Sequence, residues 1–195
     1  MAKLYFRYGT MDSAKSMNLL AVAHNYRKQG KRVLLMKPRL DVRFGAETIS
    51  SRSGLEAVAD VLVDDDTTLD PSDFRGLDCV LVDEAQFLTR DQVFQLAGIC
   101  DQAGIPVLAY GLRTDFQAEL FEGSKWLLAL ADSLHEIKAV CGCGRKATMN
   151  LRVDAAGRAA RDGAQTEIGG NDRYVAMCRR HFMEAMREGS LPAYN

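Results

Sequence analysis

One short segment limits the folds open to this chain more than any other. Gly9-Thr10-Met11-Asp12-Ser13-Ala14-Lys15-Ser16 follows an apolar, β-rich run, Leu4 to Tyr8, and opens a stretch from Lys15 to Gln29. In that stretch Leu19, Leu20, Val22, Ala23 and Tyr26 recur at helical spacing before Gly30. A turn that joins a strand to a helix and ends in Lys-Ser is the setting of a Walker A phosphate loop. Backbone N–H groups and the positive end of the helix can converge there on an anion. Lys15 is then placed to bridge the β- and γ-phosphates and the Ser16 hydroxyl to ligate Mg²⁺. The usual pattern has a second glycine before the lysine, and this chain has Ala14. If that position is left-handed, the added Cβ costs about 1–2 kcal/mol. The competing reading is a plain strand-to-helix turn with a capping serine and a surface lysine.

Further along, Arg32 to Met36, Cys79 to Val82 and Pro106 to Tyr110 read as strands, and Arg90 to Gln102 and Lys125 to Ala131 as helices. His135 to Val140 reads as a last strand. Short apolar strands alternating with helices predict an α/β fold, a parallel sheet flanked by helices. The strand Cys79-Val80-Leu81-Val82 ends in Asp83-Glu84, as a Walker B segment does. Asp83 is the candidate to hold Mg²⁺ at the sheet edge, and Glu84 the candidate to accept a proton from an attacking hydroxyl. Two acids capping the next helix are the alternative.

The composition shifts after Val140. Cys141-Gly142-Cys143 and Cys178-x-x-His181 offer four soft or borderline ligands, the number a closed structural zinc site requires. Such a site leaves no open position for substrate, so the metal is expected to staple the polar loop Asp154 to Gly163. Buried free cysteines and a surface histidine are the alternative. Cys79 and Cys100 fall in core-patterned segments and are read as packing residues; His24 and His135 are read as structural or exposed.

The totals narrow the function further. With 47% hydrophobic residues among 195, the chain can build one ordinary domain and a small appendage. Lys+Arg at 25 against Asp+Glu at 26 leaves no basic field for a nucleic-acid backbone. No apolar run approaches the roughly 20 residues that cross a bilayer, and the start MAKLYFRYGT lacks a secretion-signal pattern. A cytoplasmic location, with no nucleic-acid and no membrane partner, is expected.

The loop G-x-M-x-S-x-K-S, Asp83-Glu84-Ala85-Gln86-Phe87, Tyr110-Gly-Leu-Arg-Thr-Asp-Phe116 and Ile168-Gly169-Gly170-Asn171-Asp172-Arg173-Tyr174 occur in that order. Together with the paired cysteine and histidine ligands, from Leu4 to about Leu191, they make the chain closely resemble the bacterial, zinc-containing type II thymidine kinases. The resemblance implies a P-loop NTPase-type domain over residues 1–139 and a zinc-binding lasso domain over 140–195. It implies transfer of the γ-phosphate of ATP to the 5′-hydroxyl of thymidine, or of deoxyuridine. Residues Gly9, Thr10, Met11, Asp12, Ser13, Ala14, Lys15 and Ser16, with Asp83, Glu84, Ala85 and Gln86, would line the ATP and metal site. Lys15, Arg43 and Glu84 would be catalytic, Arg43 through its place in Asp41-Val42-Arg43. Phe87, Leu112 and Phe116 would line the nucleoside pocket, with Met11 and Tyr174 beside the pyrimidine methyl. The backbone of Gln165, Thr166, Glu167, Ile168 and Gly169 would hold the base. Cys141, Cys143, Cys178 and His181 would bind structural zinc, and Ser16 and Asp83 Mg²⁺. A homotetramer inhibited by thymidine triphosphate is implied as well. Two positions depart from the family pattern: Ala14 replaces glycine, and Met17 stands where threonine is frequent. Two rival readings are a catalytically impaired nucleotide-binding or assembly protein and a nucleic-acid-dependent NTPase with a zinc ribbon.

Overall fold

The structure, a computed structural model, describes residues 1–41, 45, 47–165 and 173–194. Six strands make the central sheet: β1 (Leu4–Gly9), β2 (Val33–Pro38), β5 (Val61–Val63), β6 (Cys79–Val82), β7 (Val107–Leu112) and β8 (Ser133–Glu136). Two short strands, β3 (Thr48–Ser50) and β4 (Glu56–Val58), form an antiparallel hairpin between β2 and β5. The sheet order is β5-β2-β6-β7-β1-β8 and every pairing is parallel. The expected α/β architecture is therefore present.

Parallel sheets carry apolar residues on both faces because helices cover both. In β6, Val80 and Val82 enter one core with Val93 and Leu96 of α2 (Arg90–Gly98) and Leu127 of α3 (Glu122–Leu130). Cys79 and Leu81, one step out of phase, enter the other core with Leu19, Leu20 and Ala23 of α1 (Lys15–Lys28). The same period of two divides β7: Val107 and Ala109 face one way, Leu108 and Tyr110 the other. Burial pushes the Cys79 thiol up to about 12 and the Cys100 thiol up to about 11, so both are inert packing groups, as expected. His24 and His135 are exposed.

A third apolar cluster lies in the C-terminal part. There β9 (Ala139–Val140) pairs with β10 (Lys146–Ala147), and β11 (Met149–Val153) pairs antiparallel with β12 (Arg173–Met177). Met149, Leu151 and Val153 pack with Met177, Phe182 and Ala185, the last two from α4 (Arg179–Glu188). Asn150 and Arg152 stand on the opposite face of β11, buried at 2% and 4% exposure.

Two expected elements are divided differently. His135 to Val140 is not one strand: β8 ends at Glu136 after pairing with β1, and β9 begins at Ala139 to pair with β10. Ile137 still donates its N–H to the Tyr8 carbonyl at 2.7 Å, in register with the β1–β8 pairing, and the next paired residues belong to a different partner strand. The helix from Arg90 keeps α-geometry to Gly98 and continues as a π-helical turn, Ile99–Ala103, closed by Gly104 at φ 72°. Its start is a capping box: the Thr89 hydroxyl accepts the Gln92 N–H, and the Gln92 carboxamide accepts the Thr89 N–H.

Candidate active site

Open parallel sheets collect ligands at the carboxyl ends of their strands, and here β1, β6 and β7 deliver the sequence-predicted groups to that edge. β7 lies between β6 and β1. The turn after β1 and the acids after β6 therefore meet across one intervening strand. Gly9 ends β1 where a Cβ would collide with the Ser13 hydroxyl and the Ile137 carbonyl, so a side chain at position 9 would shut the turn.

Beyond it the backbone is left-handed at Asp12 (φ 60°) and at Ala14 (φ 62°, ψ 31°). The strain expected of a non-glycine residue before the lysine is thus present, at a cost of about 1–2 kcal/mol. The start of α1 has no side-chain cap among the described residues, which leaves its first N–H groups for another acceptor. Buried inside the turn, the Thr10 hydroxyl oxygen has no hydrogen-bond partner among the described residues. Lys15, only 7% exposed, donates to the Thr10 carbonyl at 2.7 Å. A buried ammonium beside uncapped N–H groups and an orphan hydroxyl suits a polyanion. Met17 is 40% exposed, consistent with a surface position that tolerates its departure from the family pattern.

Facing this loop, the Ser16 hydroxyl donates to Asp83 at 3.0 Å to one carboxylate oxygen and 3.3 Å to the other. Asp83 is fixed to β2 by its N–H on the Met36 carbonyl at 2.9 Å. Burial, then the charge of Glu84, pushes its carboxyl up to about 7, against the opposing Ser16 hydrogen bond. In the metal-free protein this has a consequence for stability. Below its unfolded value of 3.8, Asp83 is protonated in both states and costs nothing. As pH rises from there to about 7, the unfolded chain releases the proton and the folded chain resists, so this residue's contribution to stability falls. Asp83→Asn is expected to flatten that part of the slope. Urea unfolding at about pH 5 and about pH 8 without divalent cations would read it, and an unchanged slope would place the burden on another group.

Glu84 is itself left-handed at φ 49° and 7% exposed. Its carboxylate accepts from the Gln86 carboxamide at 2.6 Å, and the Gln86 oxygen in turn accepts the Leu112 N–H at 3.0 Å. Gln86 therefore ties the acid to the end of β7. Two glycines make room for the turn 85–88: a Cβ on Gly111 would press on the Gln86 oxygen at 2.8 Å, and one on Gly123 would strike the Ala85 carbonyl. A strained backbone at a buried acid is the kind of departure that clusters at functional sites.

In the segment after β7, Phe116 is fully buried with the Arg152 guanidinium 3.8 Å from its ring centroid. Arg152 also donates to the carbonyls of Asp162 at 3.0 Å and Ala164 at 3.3 Å. Gln165 donates to Asp115 at 2.9 Å, so the chain leading to residue 165 is tied to the run that carries Phe116. Phe87 packs edge-on against Phe121 at 5.7 Å, Leu112 is buried, and Met11 and Tyr174 are half-buried. Arg43, Thr166, Glu167, Ile168 and Gly169 lie outside the described residues.

Asn150, Arg152 and Lys37 were not picked out from the sequence. Lys37, 1% exposed, pairs with Asp41 at 3.2 Å and donates to the carbonyls of Gly45 and Thr48, which anchors the chain on both sides of residues 42–44. The signal for the first two was a polar residue at every second place in Met149-Asn150-Leu151-Arg152-Val153, an amphipathic strand pattern.

Cys141, Cys143, Cys178 and His181 come together, with all four ligand atoms within 4.8 Å of one another. The separations are 3.4 Å for Cys141 Sγ to His181 Nδ1, 3.9 Å for Cys143 Sγ to Cys178 Sγ and 3.7 Å for Cys178 Sγ to His181 Nδ1. Tetrahedral zinc, with bonds of about 2.3 Å to sulfur and about 2.0 Å to nitrogen, needs ligand separations of about 3.5–3.8 Å, so the four groups fit that ion. The Arg145 N–H directed at Cys143 holds its thiol below the usual value, while burial raises that of Cys141. Gly142 is dictated by Tyr194, whose ring would sit 2.7 Å from a Cβ there and which packs edge-on against His181.

A parallel sheet that brings a Lys-Ser loop and an Asp-Glu pair to one buried edge defines an α/β nucleotide-phosphate protein of the P-loop kind. The family profile described as "Thymidine kinase" matches residues 2–182. A curated thymidine kinase from Novosphingobium aromaticivorans is 62% identical over 190 residues, covering 95% of this chain and 99% of the relative. That of Zymomonas mobilis is 56% identical, covering 95% and 98%, and that of Escherichia coli O157:H7 is 49% identical, covering 99% and 96%. The chain belongs to the thymidine kinase family, in its bacterial type II branch.

Proposed function

We propose that the chain transfers the γ-phosphate of ATP to the 5′-hydroxyl of thymidine, with deoxyuridine as a second substrate. The observation that carries this reading is the meeting of Lys15, Ser16, Asp83 and Glu84 in one buried site, in a chain of this family. Phosphoryl transfer needs little covalent help from a protein, so positioning and charge do most of the work. In this reading the turn Gly9 to Ser16 cradles the triphosphate, with Asp83, Ala85 and Gln86 opposite. Lys15 neutralises phosphate charge, Arg43 steadies the moving phosphoryl group, and Glu84 takes the hydroxyl proton. Ser16 and Asp83 would hold Mg²⁺, which screens the phosphate oxygens.

Phe116, Phe87, Leu112, Met11 and Tyr174 would enclose the base, and the backbone of residues 165–169 would hydrogen-bond to it. Residues 1–139 and 140–195 would act as an ATP-binding unit and a closing unit, the second held by zinc on Cys141, Cys143, Cys178 and His181. A homotetramer, inhibition by thymidine triphosphate and a cytoplasmic location complete the reading. No helix among the described residues is long and apolar enough to cross a membrane.

The test is transfer of labelled γ-phosphate from ATP to a panel of nucleosides, run with and without DNA and RNA. Thymidine-dependent transfer is expected, with purine nucleosides inert. ATP consumption that ignores thymidine would favour a nucleotide-binding or assembly role. Stimulation by nucleic acid would favour an NTPase of another class.

A further inference from the structure

Two L-residues of the phosphate turn, Asp12 and Ala14, are held in a conformation that such residues leave when free to do so. An empty turn of this kind has reason to relax, so its shape depends on contacts from outside. One such contact is the ion pair of Asp12 with Arg52 at 2.8 Å, but the two side chains are 39% and 70% exposed, and pairs so exposed contribute little. Asn150 offers a different kind of hold. Its side-chain oxygen accepts the Met11 N–H at 2.7 Å, and its amide nitrogen donates to the Thr114 carbonyl at 3.1 Å. Because the donor end is taken by a carbonyl, the acceptor end is committed to Met11. The residue is buried, so losing the acceptor would leave the Met11 N–H poorly satisfied.

The strand that carries Asn150 is stiff for a separate reason. Its other face is packed into the cluster around Phe182 and Met177, its partner β12 ends at Met177, and Cys178 of the metal-ligand group follows directly.

We propose that Asn150 is a positioning residue for the phosphate loop. Its carboxamide clamps the Met11 N–H and offsets the strain at Ala14, so that the loop keeps its phosphate-binding shape before nucleotide arrives. The inference rests on the reading of Gly9 to Ser16 as the ATP-phosphate site. A ligand's apparent affinity falls in proportion to the fraction of protein in the competent shape. With Ala14 and no clamp, that fraction drops; with glycine at 14, the clamp matters far less.

The experiment is a cycle read by calorimetric titration of the zinc-loaded protein with Mg²⁺-ATP, thymidine absent. It uses the wild type, Ala14→Gly, Asn150→Leu and the double variant, with Asn150→Ala in parallel should Leu not fold. Asn150→Leu is expected to weaken ATP about tenfold, and Asn150→Ala by less because water can reach the vacated N–H. Ala14→Gly alone tightens ATP about twofold and, combined with Asn150→Leu, returns affinity to within about threefold of wild type. A merely structural role for Asn150 would not be rescued at position 14. Equal ATP affinity in all the proteins, or equal losses at Asn150 whichever residue occupies position 14, would overturn the clamp alone. A wild-type chain that binds no ATP would overturn the functional reading and this inference with it.

Discussion

Glu84→Gln is expected to lower the turnover number for thymidine phosphorylation by at least about a hundredfold, since a positioned general base contributes about 10²–10⁴ in rate. ATP affinity should change by less than about threefold, because in the proposed reading the turn Gly9 to Ser16 holds the phosphates and Glu84 acts on the hydroxyl proton. The substitution keeps side-chain volume, so the buried turn that holds Gln86, Gly111 and Gly123 in contact need not rearrange. Gln86 has little freedom to compensate: flipping its carboxamide would surrender the bond its oxygen accepts from the Leu112 N–H. Steady-state kinetics and an ATP titration on the same preparation separate the two effects. Near-normal turnover would mean that another group takes the proton.

Loss of the metal should act on the whole C-terminal part. Structural zinc contributes about 10–16 kcal/mol of apparent binding free energy in small sites, and Cys141 and Cys178 belong to the apolar cluster of that part as well as to the ligand group. Cys178→Ser, or exhaustive chelation, is expected to lower the melting midpoint by about 20 °C or more, given that about 1 kcal/mol moves it by roughly 2–4 °C in a chain of this size. Thymidine-dependent turnover should fall to background, since Arg152 and Gln165 would no longer hold the approach to Phe116. Elemental analysis should find about one zinc per chain in the wild type and little in the variant. A fully active, equally stable protein without zinc would remove the metal from the account.

Much of the fold and of the site is legible in the sequence. The Lys-Ser turn, the Asp-Glu strand end and the four metal ligands are local signals, each readable from residue type and spacing, and Ala14 could be named as a strained position from the pattern alone. Long-range partnerships were not readable. The strand Val61–Val63 is three residues long, too short for a periodic signal, and joins the sheet only because β2 offers it an edge. The hold of Asn150 on Met11 spans 139 positions, and no local pattern announces a contact at that distance. The split between β8 and β9 is a change of partner, from β1 to β10, which apolar continuity concealed. Arg152 was not singled out, because no local pattern announces the ring of Phe116 beneath its guanidinium.

The alternation along β11 puts residues 150 and 152 side by side on one face. In the proposed reading, a single two-stranded ribbon thereby touches the ATP seat through Asn150 on Met11 and the nucleoside seat through Arg152 on Phe116. Evolution cannot easily retune one seat by shifting that ribbon without disturbing its neighbour. Changes in preference among nucleosides should therefore tend to arrive together with changes in donor affinity unless they arise at residues off the ribbon.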